Sequence, residues 1–470
     1  MTEQRVGERE RVREREHQDG AWFGAPREGQ MPVPVGETAT GAGYAAPPQP
    51  GAAETSAARW KRRAVRALRD LVISAAIIAL VPIGMTLSVS RQWVSANMAP
   101  IHNNSMVKLR EAEQARRLAA PKNPAISPMR AGELLAALSP QRRESEPFPL
   151  RPVASRPTRP WEDATVPEAL GGPRGGSWNG PRPEKILGIA AAGISADDIA
   201  YLRMIAEAPI WQSVDQIAVA PSVDVIGGRF ELPFRPEAHA YAMPIWPFAG
   251  SKELAYASVS RAAYYLATGN VREAEAVLTR TIGFGFVFID NATNLIDVLI
   301  GRVIVGIGRS GLEDLYRVTR DPRLADVVAA GREVKLPPGL RRTSLLSPSE
   351  AREMALSNAN NASLQRAVRL ESLNLLAQST CTNPRELVLG PGRDVRDAYA
   401  KASRELARFP GERALLDLML DSPNRPVDIG NAGRMDPVSR VVVGTSTIAS
   451  LIFNNPRMSY CTRIVMGNWR

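Results

Sequence analysis

Histidine and cysteine are scarce in this 470-residue chain, which has only His17, His102, His239, Cys381 and Cys461. Zinc sites draw on clustered His and Cys at short spacings, and a c-type haem needs a C-x-x-C-H run; the sequence has neither. A serine hydrolase needs a base beside its nucleophile, most often histidine, and only His239 falls in the part of the chain expected to fold. Gly444-Thr445-Ser446 also lacks the second glycine of a nucleophile elbow. Glu207, Asp224, Glu231 and Asp290 are available to a carboxylate-based envelope hydrolase, but no spacing pairs them. No catalytic residue, metal ligand or cofactor is therefore expected. Aromatic residues make up 6% of the chain while 38 prolines and 36 glycines interrupt it, so much of its length is expected not to pack.

Charge is missing from one stretch, Leu71 to Ser90, LVISAAIIALVPIGMTLSVS. As a helix its twenty residues span roughly 30 Å, the hydrocarbon thickness of a bilayer. Pro82 and Gly84 inside it are tolerated in a membrane span. Arg59, Lys61, Arg62, Arg63, Arg66 and Arg69 precede it, whereas only Arg91, Lys108 and Arg110 follow within about twenty residues. The positive-inside rule then predicts a single-pass bacterial inner-membrane protein with a cytoplasmic N-terminus and a periplasmic C-terminal domain. Val94-Ser95-Ala96 has the small residues of a signal-peptidase site, but the apolar run is too long and lies too far along the chain, so the anchor is expected to be retained. Much of the net charge of +11 flanks this anchor, so nucleic acid is not an expected partner.

The rest divides by composition. Residues 1–58 open with the alternating run ERERVRERE and continue through Gly, Ala and Pro, which predicts a disordered cytoplasmic tail. After the basic flank and anchor of 59–90, the segment 91–120 reads as a stalk, helical from Ser105 to Ala120. Thirteen prolines in 121–184 read as a linker with one helical scrap, Arg130 to Leu138. Trp161 and Trp178 inside it are candidates for partner anchors.

A mainly α domain is expected over 185–470. Ser195 caps a helix running to about Ala208 with Asp197 and Asp198 in its first turn. Helices are further predicted over Glu253 to Thr268, Val271 to Ile282, Thr293 to Ile307, Leu312 to Thr319, Leu364 to Leu376, Asp394 to Phe409 and Arg413 to Leu420. Ser347-Pro348-Ser349-Glu350 supplies an N-cap, a first-turn proline and a capping-box acid for another, to about Ser357, and Asp436-Pro437 opens a last one through Leu451. Asp224 to Ala249, rich in proline, is either an ordered plug over the core or a surface presenting Phe230, Phe234, Tyr241, Trp246 and Phe248 to a partner.

Ala262, Tyr265, Gly269, Ala274 and Leu278 fall where a tetratricopeptide unit places small, aromatic, turn, small and bulky residues. About residues 252–284 thus resemble one divergent tetratricopeptide-like hairpin, with Ser258 and Arg261 where the unit has Trp and Leu, and no closing proline. The resemblance implies stacked helical hairpins, whose long surfaces bind proteins.

Gly306-Ile307-Gly308-Arg309-Ser310-Gly311 matches G-x-G-x-x-G, with Asp326 downstream in the place of a ribose-binding acid. Helical surroundings favour a glycine-rich turn between helices over a dinucleotide site. Both cysteines lie beyond the anchor, which predicts one disulfide, Cys381 to Cys461, in an oxidising compartment. Taken together, the expected function is a periplasmic scaffold or accessory subunit binding proteins of the periplasm or inner membrane, anchored through Leu71 to Ser90. The alternatives are a tethered envelope hydrolase and a sensor joining the outside to the cytoplasmic tail.

Overall fold

Ser195 and Ser347 start their helices as the sequence predicts. Each hydroxyl accepts the backbone N–H three residues on, Asp198 or Glu350, whose carboxylate returns to the capping residue's own N–H. The computed structural model describes residues 109–138, 148–152, 157–175, 178–240, 243, 248–332, 347–362, 364–421 and 461. The chain falls into two compact units, Met1–Ala67 and Leu68–Arg470, and all described residues belong to the second. The tail, basic flank and anchor at Leu71 to Ser90, and the helix expected over Asp436 to Leu451, lie outside the described residues. Among the described residues no helix is long and apolar enough to cross a membrane.

α-Helices dominate. In chain order they are α1 (Pro128–Ala137), α2 (Pro183–Ala192), α3 (Ala196–Ala206), α4 (Ile210–Val219), α5 (Val225–Arg229), α6 (Phe248–Ala267), α7 (Val271–Asp290), α8 (Leu295–Thr319), α9 (Leu324–Ala329), α10 (Pro348–Asn360), α11 (Arg366–Ser379), α12 (Pro384–Leu389), α13 (Arg393–Leu406) and α14 (Pro410–Asp421). Between α1 and α2 a small antiparallel hairpin pairs β1 (Pro173–Gly175) with β2 (Trp178–Pro181). Gly269, at φ +80°, ends α6, and the Asn270 side chain then caps α7 through the Glu273 N–H.

Two hydrophobic cores result. The larger is built by residues 109–115, α1 to α4 and α6 to α9, with Trp161, Leu170 and Trp178 inside it. The smaller gathers Phe148, Ile226, Phe230 and Ala238 with α10, α11, α13 and α14. A polar junction links them. Arg366 donates to the Ala292 carbonyl (2.9 Å) and pairs with Glu412 (3.0 Å); Arg408 bonds both Glu412 (2.9 Å) and Asn291 (3.1 Å). Burial pushes the Arg366 guanidinium down to about 10. Desolvation offsets most of the attraction between buried ions, so the junction adds little net stability.

Three expectations need correction. Residues 109–120 pack as part of the domain: Leu109, Ala112 and Ala115 are buried, and Arg116 clamps Asp290 through two bonds of 2.7 and 2.8 Å while lying 4.2 Å over the Phe286 ring. The described part of 121–184 is likewise core-covering structure, with Leu135, Phe148, Trp161, Leu170 and Trp178 buried, and Pro128, Pro160 and Pro183 stand at first helical positions, where a missing N–H removes no bond. Packing therefore begins well before residue 185. Finally, the helices expected on either side of Gly311 are one continuous helix, α8.

The disulfide is present: Cys381, buried in the turn Thr380–Thr382 after α11, is bonded to Cys461 with a Cα separation of 5.4 Å.

Candidate interaction face

The glycines of the G-x-G-x-x-G run are interior residues of α8, and three of four glycines in this region serve its crossing with α7. A methyl group added at Gly301 would lie 2.6 Å from the Gly285 carbonyl oxygen, and one at Gly285 would lie 2.7 Å from that of Gly301. At Gly308 it would meet Ile282 at 2.9 Å, and at Gly311 the Leu278 side chain at 2.7 Å. The two backbones approach this closely because no Cβ stands between them. Gly306 differs, with nothing within 4 Å of a Cβ placed there. It points outward.

Neither a dinucleotide loop nor a turn survives this placement. A pyrophosphate site needs free N–H groups at a helix N-terminus, and these glycines sit mid-helix with their N–H groups in the helical ladder. Asp326 is used differently, on α9 and 3.9 Å from Arg117.

Around Gly306 the surface is shaped. One groove of about 340 Å³ runs between α8, residues 111–115 and the end of α9, over Glu111, Ala115, Arg302, Val303 and Gly306. A second, of about 310 Å³, lies on the other flank of α8 over Arg174, Tyr256, Val259, Ile307 and Asp314. Val303, Gly306 and Arg309 border both. Arg309 pairs with Glu313 (2.9 Å) and leans over Gly331, so the guanidinium lies along the rim. Arg302 is held by Glu111 at 2.8 Å, Arg317 by Asp314 at 2.7 Å, and Tyr256 lies under Arg174 at 4.5 Å. Burial raises the Asp314 carboxyl above the usual aspartate range, with the Arg317 charge opposing that rise.

Toward its N-terminus the same face of α8 exposes Ile296, Leu299 and Val303. Their spacing of three and four residues places them on one stripe. They are half of the six large hydrophobic side chains that stand exposed among the described residues, and they share one helix. An apolar ridge that ends at Val303 between two grooves, with ion-paired arginines along their rims, has the anatomy of a docking surface.

Comparison with protein-family models, curated proteins and solved structures finds no match for this chain.

The aromatic surface expected over Asp224 to Ala249 is in part a plug. Phe230 is 1% exposed, and its ring lies 5.8 Å from Phe148 and 6.1 Å from the half-buried Phe234, so these residues close the smaller core. Tyr241, Trp246 and the side chain of Phe248 lie outside the described residues. Trp161 and Trp178 are buried as well, Trp161 stacking on Trp211 at 5.7 Å.

The four candidate acids have separate duties. Asp224 caps α5 and is buried, which raises its carboxyl above the usual range; Asp290 holds Arg116; Glu207 lies 3.9 Å from Arg203; Glu231 is exposed. The α8 ridge was not anticipated, although a continuous helical period from Leu295 to Thr319 would have put Ile296, Leu299, Val303 and Gly306 on one side.

The glycines give a prediction with opposite signs. Gly306→Ala is expected to stabilise the chain by about 0.5–1 kcal/mol, the ordinary helical advantage of alanine. Gly301→Ala carries the same advantage but must push apart two backbones, an overpacking penalty of about 1–3 kcal/mol, so it is expected to destabilise. Urea titrations of the full chain measure both, and a shared sign would refute the contrast between crossing and open face.

Proposed function

We propose that the protein is a membrane-tethered helical scaffold or accessory subunit, anchored in the bacterial inner membrane by Leu71 to Ser90, with its helical domain in the periplasm and a protein partner docked in the grooves beside Gly306. The observation that carries the reading is the outward face of α8, where a ridge and two grooves meet at a glycine that no side chain covers. The hairpin of α6 and α7, which resembles a tetratricopeptide unit, and the chain's basic flank before the apolar stretch support the architecture and the orientation.

A photocrosslinking residue at exposed Ser310, in the full chain within native membranes, tests it. The expected result is one discrete protein adduct that disappears when Gly306→Trp fills the gap, with none formed from exposed Asp397 on α13. Adducts equal at both positions, or none at Ser310, would count against a partner at this face. A reporter fused after Ser90 that proved cytoplasmic would overturn the compartment separately.

A further inference from the structure

The exposed stripe Ile296, Leu299 and Val303 lies at the place where the chain enters the domain. Residues 109–115 run beside it: Glu111 pairs with Arg302 at 2.8 Å, and Ala112 and Ala115 line the same groove as Val303. α9 abuts the same segment, the Arg117 guanidinium donating to the Asp326 carbonyl (3.1 Å), and α9 adds the exposed Val328. Four of the six exposed large hydrophobic side chains therefore sit on elements that touch residues 109–117.

Between Ser90, the end of the uncharged stretch, and Leu109 lie residues 91–108. That length of chain spans about 27 Å as a helix and at most about 60 Å extended. On the membrane-tethered reading, the chain therefore enters the domain from the bilayer at the elements that display these apolar side chains. Charge agrees. Lys108, Arg110, Arg116, Arg117, Lys122 and Arg302 count here against Glu111, Glu113, Asp290 and Asp326, and although Arg116, Arg117 and Arg302 are paired with Asp290, Asp326 and Glu111, the group keeps an excess of two positive charges. Exposed apolar side chains among net positive charge are what an anionic lipid interface takes up.

We propose that the N-terminal end of the α8 face rests on the surface of the anionic bilayer, with Ile296 and Leu299 entering the headgroup region and Val303, which borders both grooves, marking the edge of the lipid contact, so that the grooves around Gly306 stay open to the side. This orientation rests on the membrane-tethered reading above, and it adds to that reading a fixed height and tilt for the partner grooves.

The test uses the full chain reconstituted in phosphatidylethanolamine and phosphatidylglycerol vesicles. A polarity-sensitive fluorophore is placed at Leu299→Cys or, as control, at Asp397→Cys on α13, the native cysteines being bonded to each other. Nitroxide-labelled lipid is expected to quench the probe at 299 at least threefold more than the probe at 397, and Ile296→Glu with Val303→Glu is expected to bring the two together. Equal quenching in chain that stays with the vesicles after an alkaline wash would overturn the lipid contact and leave the anchor standing. A probe at 299 shielded from aqueous iodide yet untouched by nitroxide lipid would overturn it in favour of a second copy of the chain on this face. Release of the chain by the alkaline wash would overturn the anchor, and the inference with it. All the replaced side chains are exposed, and an unchanged far-ultraviolet spectrum confirms that the fold is kept.

Discussion

Trp178→Ala is expected to destabilise the chain by about 3–5 kcal/mol, the range for emptying a buried large aromatic position. Trp178 stands on β2 in a segment whose proline content reads as linker, yet it is 1% exposed. Its ring lies 6.5 Å from Trp161 and 6.4 Å from Tyr256, and its indole N–H donates to the Pro181 carbonyl at 2.8 Å. Gly180 lies directly under that ring, where any Cβ would collide with it. Alanine would open a cavity in the larger core and leave the Pro181 carbonyl without its donor. Trp178→Phe separates these effects: it keeps most of the apolar volume and loses the hydrogen bond, for an expected loss of about 1–2 kcal/mol. Urea unfolding of the full chain, followed by circular dichroism, gives both values. A loss below about 0.5 kcal/mol for Trp178→Ala is what a solvent-exposed linker position would show, and it would return residues 121–184 to that reading.

Local signals explain what could be read in advance. Ser195, Ser347 and the Gly269-Asn270 pair act on backbone groups within four residues, so their helix ends are legible without knowing what else packs there. The proline-rich segment misled because composition averages over positions. Pro128 and Pro183 occupy the one helical site where proline is favourable, and the short helices they start lay Ala131, Leu135, Ile186 and Leu187 onto the core.

The failure at α8 has a different origin. Glycine is penalised by about 1 kcal/mol in a helix interior, so a run with Gly306, Gly308 and Gly311 reads locally as a break. Only the facing helix reverses that, since the loss at Gly301, Gly308 and Gly311 is recovered in close contact with α7, through backbone at Gly301 and Gly308 and through the Leu278 side chain at Gly311. The same dependence hides the outward face. Ile296, Leu299 and Val303 belong to an apolar run that looks uniformly core-like until α7 takes the other side. Arg116 and Asp290 are 174 positions apart, and Arg366 and Glu412 come from α11 and α14; no sequence period announces either pair.

Removing the disulfide should bring the other large loss. Cys381 and Cys461 are 80 positions apart, and in the chain-entropy account closing a loop of that size is worth about 4.5 kcal/mol at 25 °C. The Cys381→Ala, Cys461→Ala double variant is therefore expected to unfold at markedly lower urea than the parent chain. Its loss should be local. Cys381 follows α11, whose end is tied by Ser379 and Thr380 hydroxyls donating to the Leu376 and Ala377 carbonyls, and α11 belongs chiefly to the smaller core. Amides of α11 and α13 should exchange faster in the double variant, while those of α7 and α8 keep their protection relative to the global limit. Alkylation followed by mass spectrometry checks the bridge itself: native chain recovered from membranes should take up no alkyl group until it is both reduced and unfolded, because Cys381 is buried. A structural disulfide persists where the surroundings are oxidising, so the same chain retained in a reducing cytoplasm should yield two alkylatable thiols and the weakened smaller core of the double variant. Two free thiols in the membrane-recovered protein would remove the bridge, and with it the chemical support for a domain outside the cytoplasm.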